Sequence, residues 1–112
     1  MVYRQSKNLK GDESMATHVV MWNFKPEVRA EDKPALLAAM QEHLEALAGR
    51  VPGLETVRFI AMPLAGTTHE MALVTTHERA EDIAVYANHP AHVAVADTYV
   101  RPYTCDRACL NF

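Results

Sequence analysis

The sequence predicts an α+β fold in which one antiparallel four-stranded sheet carries its helices on a single face. Three observations predict it. Strand-like and helix-like runs follow one another in the order β-α-β-β-α-β, the two middle strands are joined by a hairpin-length connection, and the first strand is apolar on both of its faces. The order is that of the split βαβ, or ferredoxin-like, plan. Helices on one side cover only one face of such a sheet. The apolar second face predicts a homodimer, with two sheets closing face to face into an α/β barrel.

Each element has its own justification. Residues 17–25, THVVMWNFK, form a β-branched and aromatic run ended by Pro26, hence a strand. Alternation places His18, Val20, Trp22 and Phe24 on one face and Thr17, Val19, Met21 and Asn23 on the other. A helix is expected over residues 30–49, because Leu36, Leu37, Met40, Leu44, Leu47 and Ala48 recur at helical spacing and Gly49 is a natural stop. His43 falls among Gln41 and Glu42 and reads as solvated. VPG at residues 51–53 is a turn. LETVRFIAMP and THEMALVTTHE read as strands joined across PLAGTT. ERAEDIAVYAN predicts a short helix over residues 80–88, and PAHVAVADTYV a second, with Pro90 in the first turn where its missing N–H costs nothing. YTCDRACLNF reads as the last strand.

Composition bounds the function classes. A chain of 112 residues that is 49% hydrophobic and 22% charged is one ordinary globular domain. That domain is expected over residues 15–112, and the polar residues 1–14 read as a disordered leader or an upstream extension with Met15 as an alternative start. No apolar run approaches the roughly 18 residues that span a bilayer, and the start lacks the apolar core of a secretory signal. No membrane partner and a cytoplasmic location are expected. The net charge of −3 comes without any Lys/Arg stripe, which argues against nucleic acid. Cys105 and Cys109 fit no zinc or redox spacing and read as reduced, structural thiols. No metal site and no cofactor are expected, since the nearest histidine pair, His89 and His92, is interrupted by proline.

The stretch YANHPAHV concentrates the chemistry-bearing side chains. If Pro90 opens a helix, His89 is its cap and His92 lies in its first turn. The partial positive charge of a helix N-terminus disfavours imidazolium, so His92 is expected neutral, as a general base must be. Val95, Ala96 and Tyr99 follow at helical spacing and share its apolar stripe. His18, Val20 and Trp22 of the first strand, Met71 and Leu73 of the third, and Tyr86 of the preceding helix can face the same space. The candidate catalytic residues are therefore His92, Tyr86 and His18. The candidate lining is Val20, Trp22, Met71, Leu73, Val95, Ala96 and Tyr99. His69 and His77, at the two ends of a strand, read as surface residues.

HVVMWNFKPEV, VPGLETV and YANHPAHVAVADTYVRPY, in that order, resemble the stress-responsive A/B barrel, or Dabb, domain over roughly residues 16–112. The resemblance implies a dimeric α+β barrel. The constellation of His18, Tyr86 and His92 resembles that of the family's plant polyketide cyclases. There a histidine removes a proton from an activated carbon and a tyrosine hydroxyl orients the carbonyl for aldol-type ring closure. One departure is Asn111, where the family pattern often carries Asp before the final Phe. Two readings stand side by side. One is a small homodimer with a pocket for an apolar or aromatic carbonyl ligand and no catalysis. The other is a cyclase-like lyase or isomerase using a His base and a Tyr hydroxyl.

Overall fold

The computed structural model describes residues 15–112, so the leader expected over residues 1–14 lies outside the described residues. The chain runs β1 (Ala16–Phe24), a 3₁₀ turn (Ala30–Asp32), α1 (Lys33–Glu45), β2 (Leu54–Ile60), β3 (Met71–His77), α2 (Glu81–Asn88), α3 (Pro90–Val95), a π turn (Ala96–Val100) and β4 (Thr104–Asn111). The sheet order is β2-β3-β1-β4 and every neighbouring pair is antiparallel. This is the ferredoxin-like arrangement that the order of elements predicts.

Burial alternates along β1 and β3 as a half-covered sheet requires. Val20 and Phe24 of β1, with Met71 and Leu73 of β3, meet Met40 and Leu44 of α1, Tyr86 of α2 and Val100 of the π turn in one core. Full burial of each such side chain contributes about 1.5–3 kcal/mol. The other face of the sheet presents Val19, Met21, Ala72 and Val74, all half-buried, and the exposed Leu110 directly across from Val19. Among the described residues no helix is long and apolar enough to cross a membrane.

Four local expectations are corrected. The first helix begins at Lys33, not near residue 30, because Pro34 has no N–H to donate and fits only the first turn. It ends at Glu45, after which tight turns carry the chain to Arg50 and Ala48 is exposed. His43 is not simply solvated: its ring stacks on Tyr99 with centroids 3.9 Å apart and planes 10° apart. His77 is not a surface residue. It faces inward in step with Met71, Leu73 and Thr75 and is fully buried. His69 is half-buried and bridges Thr68 to the backbone carbonyl of Asp106.

Candidate functional site

The site is made where α2 gives way to α3. The break is chemical: Pro90 cannot donate, so α2 stops at Asn88 and His89 adopts an extended backbone with ψ 134°. The His89 ring then accepts from the Ala91 N–H at 3.1 Å and caps the new helix. The cap leaves His92 in the first turn of α3, folded back over the end of α2.

His92 Nδ1 lies 3.2 Å from the Ala87 carbonyl oxygen. A carbonyl only accepts, so Nδ1 carries the proton and Nε2 holds the lone pair. Burial holds the imidazolium form of His92 below its usual range; Arg101, His18 and Arg107 push the same way, while the Ala87 hydrogen bond opposes them. His92 is thus a neutral base at ordinary pH, with desolvation rather than the helix terminus as the main cause.

Tyr86 is the hub of the site. Its ring centroid lies 4.3 Å from that of His92, 5.5 Å from His77 and 6.3 Å from His18. Its side chain is buried, and its hydroxyl finds no hydrogen-bond partner among the described residues. Burial also pushes the phenol well above its usual pKa, so it is a neutral donor. His77 supports it from behind: its Nε2 meets Thr75 Oγ1 at 2.8 Å, its Nδ1 has no partner among the described residues, and burial disfavours its charged form. His18 Nδ1 donates to Asn111 Oδ1 at 2.6 Å, with Cys109 Sγ 3.6 Å away. Asn111, at the position where the family pattern often has an acid, thereby holds the His18 ring.

A cavity of about 150 Å³ opens beside these rings. Its walls bring together His18, Tyr86 and His92 with Val20, Trp22, Leu73 and Ala96 of the expected lining. Met71, Val95 and Tyr99 are not on its wall. Met71 is packed into the core one inward position beyond Leu73. Val95 lies in α3, ahead of the π turn, and packs against the core, whereas Tyr99 misses the wall because the helix widens: Arg101 N–H bonds back to the Ala96 carbonyl, a π-type bond, and a π turn advances less angle per residue than an α turn. The stripe that faces the cavity therefore runs His92, Ala96, Val100 at every fourth residue, and Tyr99 swings to His43. Leu44, Ala87, Val100, Arg101 and Arg107 complete the wall and are not among the residues the sequence singled out for the site. Among the residues overlooked, His77 left a signal in its parity with Leu73 and Thr75, and Arg107 in its alternation with Cys109 and Asn111 opposite Val20 and His18.

Among the described residues no cluster of His, Cys, Asp or Glu could hold a metal ion. What the arrangement can do is bind a small apolar group and offer it one lone pair and one unspent hydroxyl. A split βαβ sheet with a helix-junction cavity of this kind defines a ferredoxin-like α+β protein with a candidate small-molecule site. The chain belongs to the stress responsive A/B barrel domain family, whose profile matches residues 16–112. No curated protein matches it. Among solved structures, a dimeric protein of unknown function with a ferredoxin-like fold from Bacteroides fragilis is 26% identical, with 88% of this chain and 94% of that chain covered and a TM-score of 0.79. A Dabb family protein from Mesorhizobium loti is 14% identical over 88% of this chain and 94% of that one, with a TM-score of 0.66. A hydroxynitrile lyase from Passiflora edulis is 13% identical over 90% and 94%, with a TM-score of 0.64. The last two likenesses show the fold alone.

Proposed function

We propose that the cavity binds a small, ring-sized carbonyl compound and that His92 and Tyr86 move a proton on it. The observation that carries this reading is the Tyr86 hydroxyl, buried and without a partner among the described residues beside a neutral histidine. A folded protein rarely leaves such a donor unspent unless something else is to receive its bond. In this reading the hydroxyl donates to the ligand's carbonyl oxygen. His92 Nε2 takes a proton from the adjacent carbon, giving an enol or enolate, and returns it to carbon or oxygen. His18 and His77 are positioning residues that hold the Tyr86 ring.

Size limits the substrate. About 150 Å³ matches a pocket that holds one benzene ring, so a long polyketide chain would not fit within it. Ring closure of such a chain is the less favoured version of this chemistry.

We further propose that the protein works as a homodimer closed through its open sheet face. Its support is the apolar surface of Val19, Met21, Val74 and Leu110, together with the dimeric Bacteroides relative. A cytoplasmic location belongs to the same reading, with the free thiols of Cys105 and Cys109 as its support.

The test is isotope exchange. Acetophenone in deuterated buffer at neutral pH, followed by proton NMR, should lose its methyl protons faster with the protein present. His92→Ala should remove about 100-fold or more of that acceleration, the usual scale of general base catalysis. Tyr86→Phe should lower it while leaving the fold intact. Binding of acetophenone with no exchange would reduce the reading to a ligand-binding role, and no binding would end it.

A further inference from the structure

We propose that the compound this cavity takes carries a carboxylate, held at the mouth by Arg107 and Arg101 while the rest of the molecule enters toward Tyr86 and His92. This rests on the proposed small-molecule reading of the same cavity and adds the charge of its ligand.

The first observation is the composition of the wall. Its inner part is apolar, with Val20, Leu73, Leu44 and Val100, whereas the exposed side chains on it include two arginines from different elements. Arg101 follows the π turn and Arg107 belongs to β4. Arg101 has a partner of its own, Asp97. Arg107 makes no ion pair among the described residues. Two guanidiniums less one carboxylate leave a single positive charge at the mouth, which matches a monoanion.

The second observation is how Arg107 comes to be there. In β4, Cys105 pairs with Asn23 and Ala108 pairs with Met21, so Asp106 and Arg107 together face Trp22 alone. That is a β-bulge. Arg107 keeps step with Cys109 and Asn111, which pair with Val20 and His18, so the register of that end of the strand places it on the helix side opposite Trp22. The extra residue, Asp106, is taken up between the two registers, so that Thr104 opposite Phe24 and Arg107 opposite Trp22 lie on the same side of the sheet. It has a conformational cost, since Asp106 takes the left-handed backbone at φ 54°. It is also held in place, by His69 Nε2 donating to the Asp106 carbonyl at 3.2 Å and Asn23 Nδ2 to the Asp106 carboxylate at 3.4 Å. Bulges commonly re-aim a side chain at a site.

The third observation is chemical fit. A guanidinium presents a planar fork of donors that matches a carboxylate with two parallel bonds. The ring-sized cavity of about 150 Å³ leaves no depth for a charged group to be buried inside it, so the charge belongs at the arginines.

Benzoate, its neutral isostere benzamide, and phenylphosphonate test this by calorimetry at low salt, with the His92 and Tyr86 ring signals followed by NMR. Benzoate should bind about tenfold more tightly than benzamide, as a charge-assisted contact at a half-exposed site allows. Arg107→Gln should cut that preference to about twofold while leaving the melting temperature unchanged. Equal binding of benzoate and benzamide with both rings shifting would overturn the carboxylate and leave the pocket reading standing. So would tighter binding of phenylphosphonate, or a preference that survives in the Arg107→Gln and Arg101→Gln variants. If none of the three compounds shifts either ring, both readings fall together.

Discussion

Replacing Tyr86 with Phe should make the protein more stable while removing its chemistry. The side chain is 1% exposed, and its hydroxyl has no partner among the described residues. A buried polar group left unsatisfied costs about 1–3 kcal/mol of desolvation. Phe keeps the ring that packs against His92, His77 and His18 and loses only the oxygen, so the expected gain is about 1–2 kcal/mol. In a domain of this size each kcal/mol moves the melting temperature by about 4–8 °C. A water in the cavity that bonds the hydroxyl would shrink the gain toward zero without reversing it. The measurement is urea unfolding followed by circular dichroism at one fixed protein concentration, because dimerisation would couple apparent stability to concentration. The slope should stay that of the parent, showing that the unfolded surface is unchanged. A loss of 1 kcal/mol or more, set by the ordinary worth of a hydrogen bond, would refute the reasoning. It would mean that the phenol is a structural clasp at the helix junction and not a donor kept for a ligand.

Other perturbations reach other parts of the molecule. Gly53 has φ +80°, and a Cβ there would lie 2.4 Å from the Asp82 Cγ, displacing the carboxylate that accepts from the Arg79 N–H at 3.1 Å. Gly53→Ala should therefore cost about 2–3 kcal/mol, adding a lost cap to backbone strain. Gly49→Ala, with φ +81° but nothing within 4 Å, should cost the strain alone, and equal losses in urea unfolding would disprove the difference. Burial lowers the pKa of both His77 and His92 from 6.5, so the unfolded chain protonates first as pH falls. Stability should be full above about pH 7 and decline below about pH 6.5, by up to about 1.4 kcal/mol per pH unit for each histidine. Unfolding at pH 7.5 and 5.5 checks this; a smaller decline is expected for His92→Ala, and a flat wild-type profile would contradict it. Leu110→Glu puts a charge on the open sheet face opposite Val19, and should convert a dimer to a monomer in sedimentation. A variant that still sediments as a dimer would show that this face is not the interface.

The strands and the inward parity of His18, Val20 and Trp22 were legible because side-chain alternation is fixed by the pleat. Pro90 made the helix junction legible, since a residue without an N–H can only begin a helix there. The same rule applied to Pro34 would have moved the start of α1 to Lys33, so that error lay in the reading and not in the sequence. His77 was misplaced for a different reason. Its polar neighbours Glu78, Arg79 and Glu81 mark the end of the strand, yet its register with Met71, Leu73 and Thr75 turns it inward.

Tyr99 belongs to another category, because no regular periodicity leads to where it lies. An α-helix continued through residues 96–100 would carry Tyr99 onto the stripe that starts at His92. A phenol ring would then crowd the cavity. The π turn undoes this outcome, leaving Ala96 and Val100 on the wall. It is a departure from regular hydrogen bonding that a stable fold has no need of by itself. Departures of this kind concentrate where a protein gives up local regularity for a site. That the π turn, with the β4 bulge only a few residues further along the chain, borders this small space is the strongest physical reason to read the cavity as a place for a ligand and not as a packing defect.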